Sequence, residues 1–145
     1  MIKSPFFPFK FNNNKGFENY QSDKDAIRFH LTNLFLTSPG EKISDANYGV
    51  GVRRYLFENL TEGLVNNLED EITDQVNFYL PYIKIIDMNI IPEPEDNKLA
   101  VSLKYEIIDE AVQDAITLVI SGTDDSQPTY WGTTKNAKKT FNKIY

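Results

Sequence analysis

The sequence predicts an α+β domain in which two main helices pack on a small antiparallel meander sheet, with an N-terminal arm and a C-terminal tail as extensions. Apolar residues recur at helical spacing in two segments of the first half, and they alternate with polar residues in the second half. Because the helices precede a run of strands, we expect them to cover one face of the sheet. The predicted boundaries are 1–21 for an aromatic-rich arm, 22–121 for the domain and 122–145 for a polar tail.

Length and composition limit the class of protein. A chain of 145 residues can bury a core of its own, and the absence of cysteine excludes disulfides and thiolate metal sites. No apolar run reaches the roughly 20 residues of a membrane span, and the N-terminus lacks the pattern of a signal peptide. The net charge of -6 argues against non-specific binding of nucleic acid. Lysines and aromatic residues do interleave in the tail, but a segment that orders on a protein partner fits this spacing as well as one that binds single strands. We therefore predict neither a nucleic-acid partner nor a membrane.

The arm is dense in phenylalanine and poor in signals for regular structure. Prolines and three consecutive asparagines separate the aromatic residues. Five phenylalanines in so short a segment should be buried, either on the chain's own core or on a neighbouring protein, and the sequence leaves both interpretations open. These residues are Phe6, Phe7, Phe9, Phe11 and Phe17.

The first helix is predicted to begin at Ser22 or Asp23 and to end before the Ser-Pro-Gly sequence at 38–40. Its apolar stripe consists of Ile27, Leu31, Leu34 and Phe35. His30 lies on or beside this stripe and is the only histidine of the chain. We interpret it as a partly buried packing residue, because no second histidine completes a metal site.

Residues 41–60 are irregular by pattern and contain the sequence NYGVGVRR at 47–54. A dinucleotide-binding loop would need a third glycine where Arg54 stands, and the lysine of a phosphate-binding P-loop is missing as well. We interpret Gly49 and Gly51 as the residues of a tight turn. This turn is expected to lead Leu56 and Phe57 into the core and to present Arg53 and Arg54 outward.

A second helix is predicted to begin at Thr61 and to end near Pro81. Its apolar stripe consists of Leu64, Val65, Leu68, Ile72, Val76 and Leu80. The opposite face carries polar residues that we interpret as solvated, namely Asn67, Asp70, Glu71, Asp74 and Gln75.

Three strands follow the second helix. Residues 83–91 suit a strand, and the segment 92–98 is a turn rich in proline, aspartate and asparagine. Residues 99–108 alternate strictly, which is typical of a half-buried antiparallel strand. After a short connection, residues 115–121 form the third strand.

Catalytic interpretations find little support. A glycosidase needs two carboxylates at a fixed separation, one of them in an apolar pocket. Glu58 follows Phe57 directly, but no spacing pairs it with a second carboxylate, and we interpret it as structural. With one histidine and no cysteine, the common nucleophilic triads are absent. We predict no catalytic residue, no metal and no cofactor.

Several of these motifs together resemble one family. PGE at 39–41, NYGVGV at 47–52 and LFENLT at 56–61, followed by an amphipathic helix and a strand pair, are similar to the baseplate-wedge and sheath-initiator family of contractile tails. The resemblance covers roughly residues 23–121. It implies a structural protein of the virion tail baseplate, assembled in the host cytoplasm. The implied partners are the tail sheath protein and the larger wedge proteins, with tube or hub proteins as further candidates.

The resemblance also implies docking residues. Members usually carry a Glu-Pro-Arg tripeptide after the long helix, whereas this chain has Leu80, Pro81 and Tyr82 there. Since both charges are missing, we predict wedge docking through Arg53, Arg54, Pro81 and Tyr82, with the arginines facing carboxylates of a neighbouring subunit.

Members initiate the sheath through terminal strands, which offer unpaired backbone groups to an incoming strand. The predicted pairing segment is the late strand, which we expect to be exposed, through Ile116, Thr117, Leu118, Val119 and Ile120. The alternative for this segment is an ordinary internal strand of the sheet. Deletion of residues 115–145 is expected to leave the domain folded. Two alternatives stay open: a component of a type VI secretion or other contractile injection system, and a baseplate-associated peptidoglycan hydrolase of lysozyme type.

Overall fold

A computed structural model describes residues 4–5, 11–13, 16–20, 22–59 and 61–121, and the backbone of residues 129–132. A short hairpin formed by β1 (Phe11–Asn12) and β2 (Gly16–Phe17) precedes the helix α1 (Asp23–Leu36). A 3-10 helix (Val52–Phe57) and the helix α2 (Glu62–Tyr79) follow. The second half contains β3 (Ile83–Glu93), a 3-10 turn (Pro94–Asp96), β4 (Lys98–Ile107), β5 (Val112–Ser121) and β6 (Thr129–Gly132). The predicted α+β class is confirmed.

Both predicted helices are confirmed, with their apolar stripes facing the core. In α1, the four predicted apolar residues are fully buried. In α2, Leu68, Ile72 and Val76 are fully buried, and the hydroxyl of Thr61 accepts a hydrogen bond from the N–H of Leu64 at the start of the helix. This cap satisfies one of the backbone donors that a helix start leaves open.

The large sheet is an antiparallel meander in the order β3-β4-β5-β6. The alternation predicted for the middle strand is confirmed, since every second residue is buried against the helices: Leu99, Val101, Leu103, Tyr105 and Ile107. A register shift between Ile85 and Asp87 interrupts the pairing of β3 with β4.

The sheet differs from the prediction in two larger respects, besides small shifts at the β3–β4 connection, where β3 extends to Glu93 and β4 spans Lys98–Ile107 instead of 99–108. β5 begins at Val112 instead of 115, because Ala111 adopts a positive φ of 51° that closes a short turn. The second difference is β6, which lies inside the predicted polar tail and pairs with residues 116–119 of β5. The tail sequence lacks the alternation that would have indicated a strand.

The described part of the arm is a hairpin that carries exposed aromatic rings. Phe11 and Phe17 are paired across β1 and β2, with ring centroids 5.6 Å apart, and they are 67% and 60% exposed. Ser4 is buried, and its Oγ lies 3.2 Å from Nε2 of His30 on α1. The arm therefore contacts the domain at Ser4, whereas the rings of Phe11 and Phe17 are solvent-exposed; Phe6, Phe7 and Phe9 lie outside the described residues.

Candidate docking surfaces

The glycine turn is a buried crossing of backbone segments. Gly49 and Gly51 have φ values of 107° and 65°, which side chains rarely allow. A β-carbon on Gly49 would stand 2.2 Å from the carbonyl oxygen of Thr37. Between the glycines, the N–H of Val50 donates to the carbonyl oxygen of Leu34 at 2.9 Å. Both glycines thus let the loop pass directly over the end of α1.

The second helix holds this loop through a polar side chain. The side-chain oxygen Oε1 of Gln75 accepts a hydrogen bond from the backbone N–H of Gly49 at 2.9 Å. The side-chain nitrogen Nε2 of Gln75 donates to the backbone carbonyl oxygen of Asn47, also at 2.9 Å. The expectation that Gln75 is only solvated was therefore wrong. A primary amide fits here because it donates and accepts at once, as a strand neighbour would.

The two arginines after the turn differ in their surroundings. Arg54 forms a salt bridge with Glu71 of α2, and Tyr55 donates its hydroxyl hydrogen to the same carboxylate. Burial, aided by this hydrogen bond, raises the pKa of Tyr55 to about 12. Arg53 is exposed and has no ion-pair partner among the described residues. Glu71 is thus not merely a solvated residue, and Arg53 is the arginine whose charge is open to a neighbour.

The LFEN segment does not enter the core as predicted. Phe57 is 83% exposed, and Leu56 is only partly buried. The core instead receives Val52 and Tyr55. The reason is the 3-10 helix, which has three residues per turn and so places positions 52 and 55 on one side.

A cleft of about 350 Å³ lies between this segment and the β3–β4 turn. Glu58 and Glu93 both line it, next to Phe57 and Lys98. Glu58 is solvent-exposed, and the neighbouring ring of Phe57 points into solvent instead of enclosing it. A general acid of a glycosidase needs an apolar enclosure that raises its pKa. The cleft brings two carboxylates together without that enclosure.

The corner after α2 is held by two hydrogen bonds of Tyr82, one through its side chain and one through its backbone. The hydroxyl of Tyr82 lies 2.8 Å from Nδ1 of His30, and burial raises the pKa of Tyr82 to about 12. The carbonyl oxygen of Tyr82 accepts from the N–H of Ile108 at 3.1 Å. His30 is half-buried and uses both ring nitrogens, with Ser4 as its second partner. Of the predicted pair at this corner, Pro81 is exposed, whereas the hydroxyl group of Tyr82 is directed inward.

The late strand is an internal strand of the sheet. β5 pairs with β4 along its whole length and with β6 at residues 116–119, so the expectation of an exposed strand was wrong there. Ile116, Leu118 and Ile120 are buried in the core. Within the described residues, the outer strands of the sheet are β3 and β6.

Among the described residues, no group of three or more histidine, cysteine, aspartate or glutamate side chains could hold a metal ion. No helix in the described part of the chain is long and apolar enough to cross a membrane.

The polar contacts that organise the loop were missed at the level of sequence. Gln75 and Glu71 are four residues apart and lie beside the buried positions Ile72 and Val76. Polar residues that border an apolar stripe on the same helix face are the signal that could have found them. Nothing in the sequence shows which loop they contact.

Comparisons with known proteins converge on one family. Residues 21–112 match the family model described as baseplate wedge protein gp25. A curated relative, the baseplate wedge protein gp25 of Enterobacteria phage T4, is 30% identical over 84 residues, which cover 58% of this chain. The match spans 64% of that relative, slightly less than two thirds of its length.

Two solved structures share the fold. A chain of the anti-feeding prophage baseplate, solved by cryo-EM, is similar with a TM-score of 0.63 and 26% identity, covering 73% of this chain and 85% of that chain. A protein named as a tail lysozyme from Geobacter sulfurreducens gives a TM-score of 0.63 at 14% identity, covering 74% of this chain and 97% of that chain. At this identity the second likeness shows the fold alone.

Proposed function

This chain belongs to the baseplate wedge protein gp25 family, and on that basis we propose that it is a non-enzymatic structural component of a contractile phage tail baseplate that initiates the sheath. The family match over residues 21–112 carries the proposal, since it includes the glycine turn, the LFEN segment and both helices. The proposed location is the virion tail baseplate, with assembly in the host cytoplasm. The proposed partners are the tail sheath protein and the larger wedge proteins, with tube or hub proteins as further candidates.

The two edges of the sheet differ in their suitability for strand pairing. β3 contains Pro92 and an irregular register at Ile85/Asp87. Proline and bulges are features that protect an edge from a further strand. β6 is a short strand that covers only residues 116–119 of the ten-residue β5. The β6 edge is therefore the edge on which we propose that the first sheath ring adds its strand.

Deletion of residues 122–145 tests this assignment. A deletion of residues 115–145 would also remove Ile116, Leu118 and Ile120 from the core, so we no longer expect the domain to stay folded without them. The shorter deletion keeps every described core residue and removes β6. The truncated protein should stay folded, which a cooperative unfolding transition in urea would show, and it should enter baseplates. Electron microscopy should then show baseplates without sheath.

The control for this experiment is Ile43→Ser, which changes a fully exposed residue outside the sheet. Baseplates that contain this variant should grow normal sheaths. Normal sheaths on baseplates with the truncated chain would refute strand donation at the β6 edge.

Docking to the wedge is proposed at the predicted residues, with unequal roles. Arg53 is exposed and has no ion-pair partner among the described residues, and Pro81 is exposed at the corner after α2. Arg54 and Tyr82 are proposed to support the docking surface without binding the partner through their polar groups. Arg54 is already paired with Glu71, and the hydroxyl group of Tyr82 is already hydrogen-bonded to His30. Arg53→Ala should weaken wedge binding measured by co-purification, whereas Lys24→Ala on α1 should leave it unchanged.

An alternative setting is the baseplate of a type VI secretion or other contractile injection system. The likeness to a chain of the anti-feeding prophage baseplate favours this alternative. Its mechanism of docking and strand pairing would be the same. Isolation of the assembled particle distinguishes the two settings, since a phage tail is attached to a capsid that contains DNA.

A peptidoglycan hydrolase is the alternative from another class. Glu58 and Glu93 in one cleft are the observation in its favour. The exposure of Glu58 is the observation against it. We expect no release of soluble glycan fragments from purified peptidoglycan. Turnover that is lost in Glu58→Gln and kept in Glu62→Gln would show an enzyme instead.

A further inference from the structure

An aromatic cleft lies between the loop 41–47 and the C-terminal half of α2. It encloses about 690 Å³, and its lining includes Asp45, Asp74, Phe78 and Tyr79. Phe78 belongs to the last turn of α2 and is 76% exposed. The exposed ring therefore offers a flat aromatic face within the cleft on which a ligand can stack.

The ring of Phe78 stands in a fixed aromatic row. Its centroid lies 4.8 Å from that of Tyr79, and Tyr79 lies 4.9 Å from Tyr48, both contacts being edge-to-face. Tyr79 is held in turn, since its hydroxyl group donates to Oδ2 of Asp45 at 2.7 Å. Because these rings are already positioned, a ligand that stacks on Phe78 orders few side chains on binding.

The surroundings of this ring are acidic. α2 carries five carboxylates and no basic residue, and only Glu71 among them forms an ion pair with a described residue. Asp74 is exposed in the cleft and has no partner in the described part of the chain. The last turn of α2 has no basic residue either, so the negative end of its macrodipole is left uncompensated by side chains of that turn.

The loop adds a second carboxylate, that of Asp45, to the lining of the cleft, whereas the cation Lys42 lies outside that lining. The hydrogen bonds from Tyr79 and from the N–H of Asn47 lower the pKa of Asp45, which therefore remains ionised at neutral pH. Lys42 places its ammonium group over the ring of Tyr48, 4.2 Å from the centroid. The aromatic cleft thus combines an exposed ring with two carboxylates, which complements a planar cation.

We propose that the aromatic cleft binds an arginine side chain of a partner protein, with the guanidinium group stacked on Phe78 and paired with Asp74. Arginine is favoured over lysine because its flat, weakly hydrated cation stacks on rings and forms two parallel hydrogen bonds with a carboxylate. This assignment rests on the proposed function, since a baseplate component docks with neighbouring proteins. It requires that one of those neighbours present an arginine side chain to the cleft.

Titration of the full chain with N-acetyl-arginine methylamide tests the proposal. Heteronuclear NMR spectra should show saturable shifts at the backbone amides of Asp74, Asn77 and Phe78. N-acetyl-citrulline methylamide has the same shape without the charge, and it should cause no such shifts. Asp74→Asn and Phe78→Ala should each weaken binding by about two- to fivefold. Asp70→Asn on the same helix, outside the cleft lining, should leave the affinity unchanged.

Three outcomes would overturn the proposal. Equal shifts with citrulline would remove the role of charge, and equal effects of Asp70→Asn and Asp74→Asn would indicate a diffuse acidic surface. Self-association that depends on Asp74 and is abolished by Arg53→Ala would identify a second copy of this chain as the occupant. None of these results depends on sheath growth at the β6 edge, so either proposal can fail while the other stands.

Discussion

Arg28 and Asp114 form a bidentate ion pair that joins α1 to the beginning of β5. Nε and Nη2 of the guanidinium group donate to the two carboxylate oxygens at 2.9 and 2.8 Å. The hydroxyl group of the fully buried Tyr105 donates to the same carboxylate at 3.0 Å. Burial, together with the negative charge of Asp114, raises the pKa of Tyr105. Three elements of the fold therefore depend on one carboxylate.

Asp114→Asn should destabilise the domain by about 2–4 kcal/mol, because it leaves a largely buried guanidinium group with only the exposed and more distant carboxylate of Asp25 as its counter-charge. The matched control is Asp25→Asn, since Asp25 also contacts Arg28, at 3.7 Å, but its side chain is 59% exposed. An exposed pair of this kind contributes about 0–1 kcal/mol. Urea unfolding followed by circular dichroism measures both variants. Equal losses of stability in the two variants would contradict a special role for Asp114.

Gly49→Ala should destabilise the domain by about 3 kcal/mol or more, because the new β-carbon meets the backbone of Thr37 at a φ that alanine rarely adopts. Gly63→Ala is the control, since nothing lies within 4 Å of a β-carbon at that helical position. There alanine should stabilise the chain by up to about 1 kcal/mol through its helix propensity. Thermal unfolding compares the two. A mild effect of Gly49→Ala would mean that the loop can move away from α1.

Burial patterns explain which parts of the fold could be predicted from the sequence. The stripe with Leu68 and Ile72 and the alternation around Val101 and Leu103 are imposed by one apolar partner surface, so each has a period that the sequence displays. The prediction of which residues in 52–57 face the core was wrong, because such a short 3-10 helix does not display its period of three in the sequence. β6 was missed for a similar reason, since four residues in a polar segment show no alternation.

The contacts that shape the candidate docking surfaces could not be predicted in the same way. Gln75 and Gly49 are 26 residues apart, and Tyr79 and Asp45 are 34 apart. A polar residue on a helix shows in sequence only that it avoids the core. Its partner is determined by how the loop folds back, which depends on tertiary packing.

Gln75→Ala should lower the free energy of unfolding by about 1–2 kcal/mol, because the buried N–H of Gly49 loses its acceptor. The amide hydrogen of Gly49 should then exchange faster with solvent, which hydrogen-exchange NMR measures residue by residue. Asn67→Ala is the control on the same helix, since Asn67 is exposed and has no hydrogen-bond partner among the described residues. It should change stability by less than about 0.5 kcal/mol. Unchanged exchange protection of the Gly49 amide hydrogen in Gln75→Ala would show that Gln75 does not hold the loop.

The stability of the domain should fall as the pH drops below about 6.5, the pKa of histidine in an unfolded chain. Burial lowers the pKa of His30 in the folded protein, so the unfolded state takes up a proton first. This contribution to stability is complete above the unfolded pKa and is lost as the pH falls through the folded pKa. The hydrogen bonds with Tyr82 and Ser4 do not cancel the effect, because both hydroxyl oxygens can accept from a protonated ring while the cost of burying its charge remains. Urea unfolding of the wild type and His30→Gln between pH 7.5 and 5.5 isolates the histidine from the carboxylates, which protonate mainly at lower pH. Parallel pH dependences for the two proteins would mean that His30 is not the group that titrates.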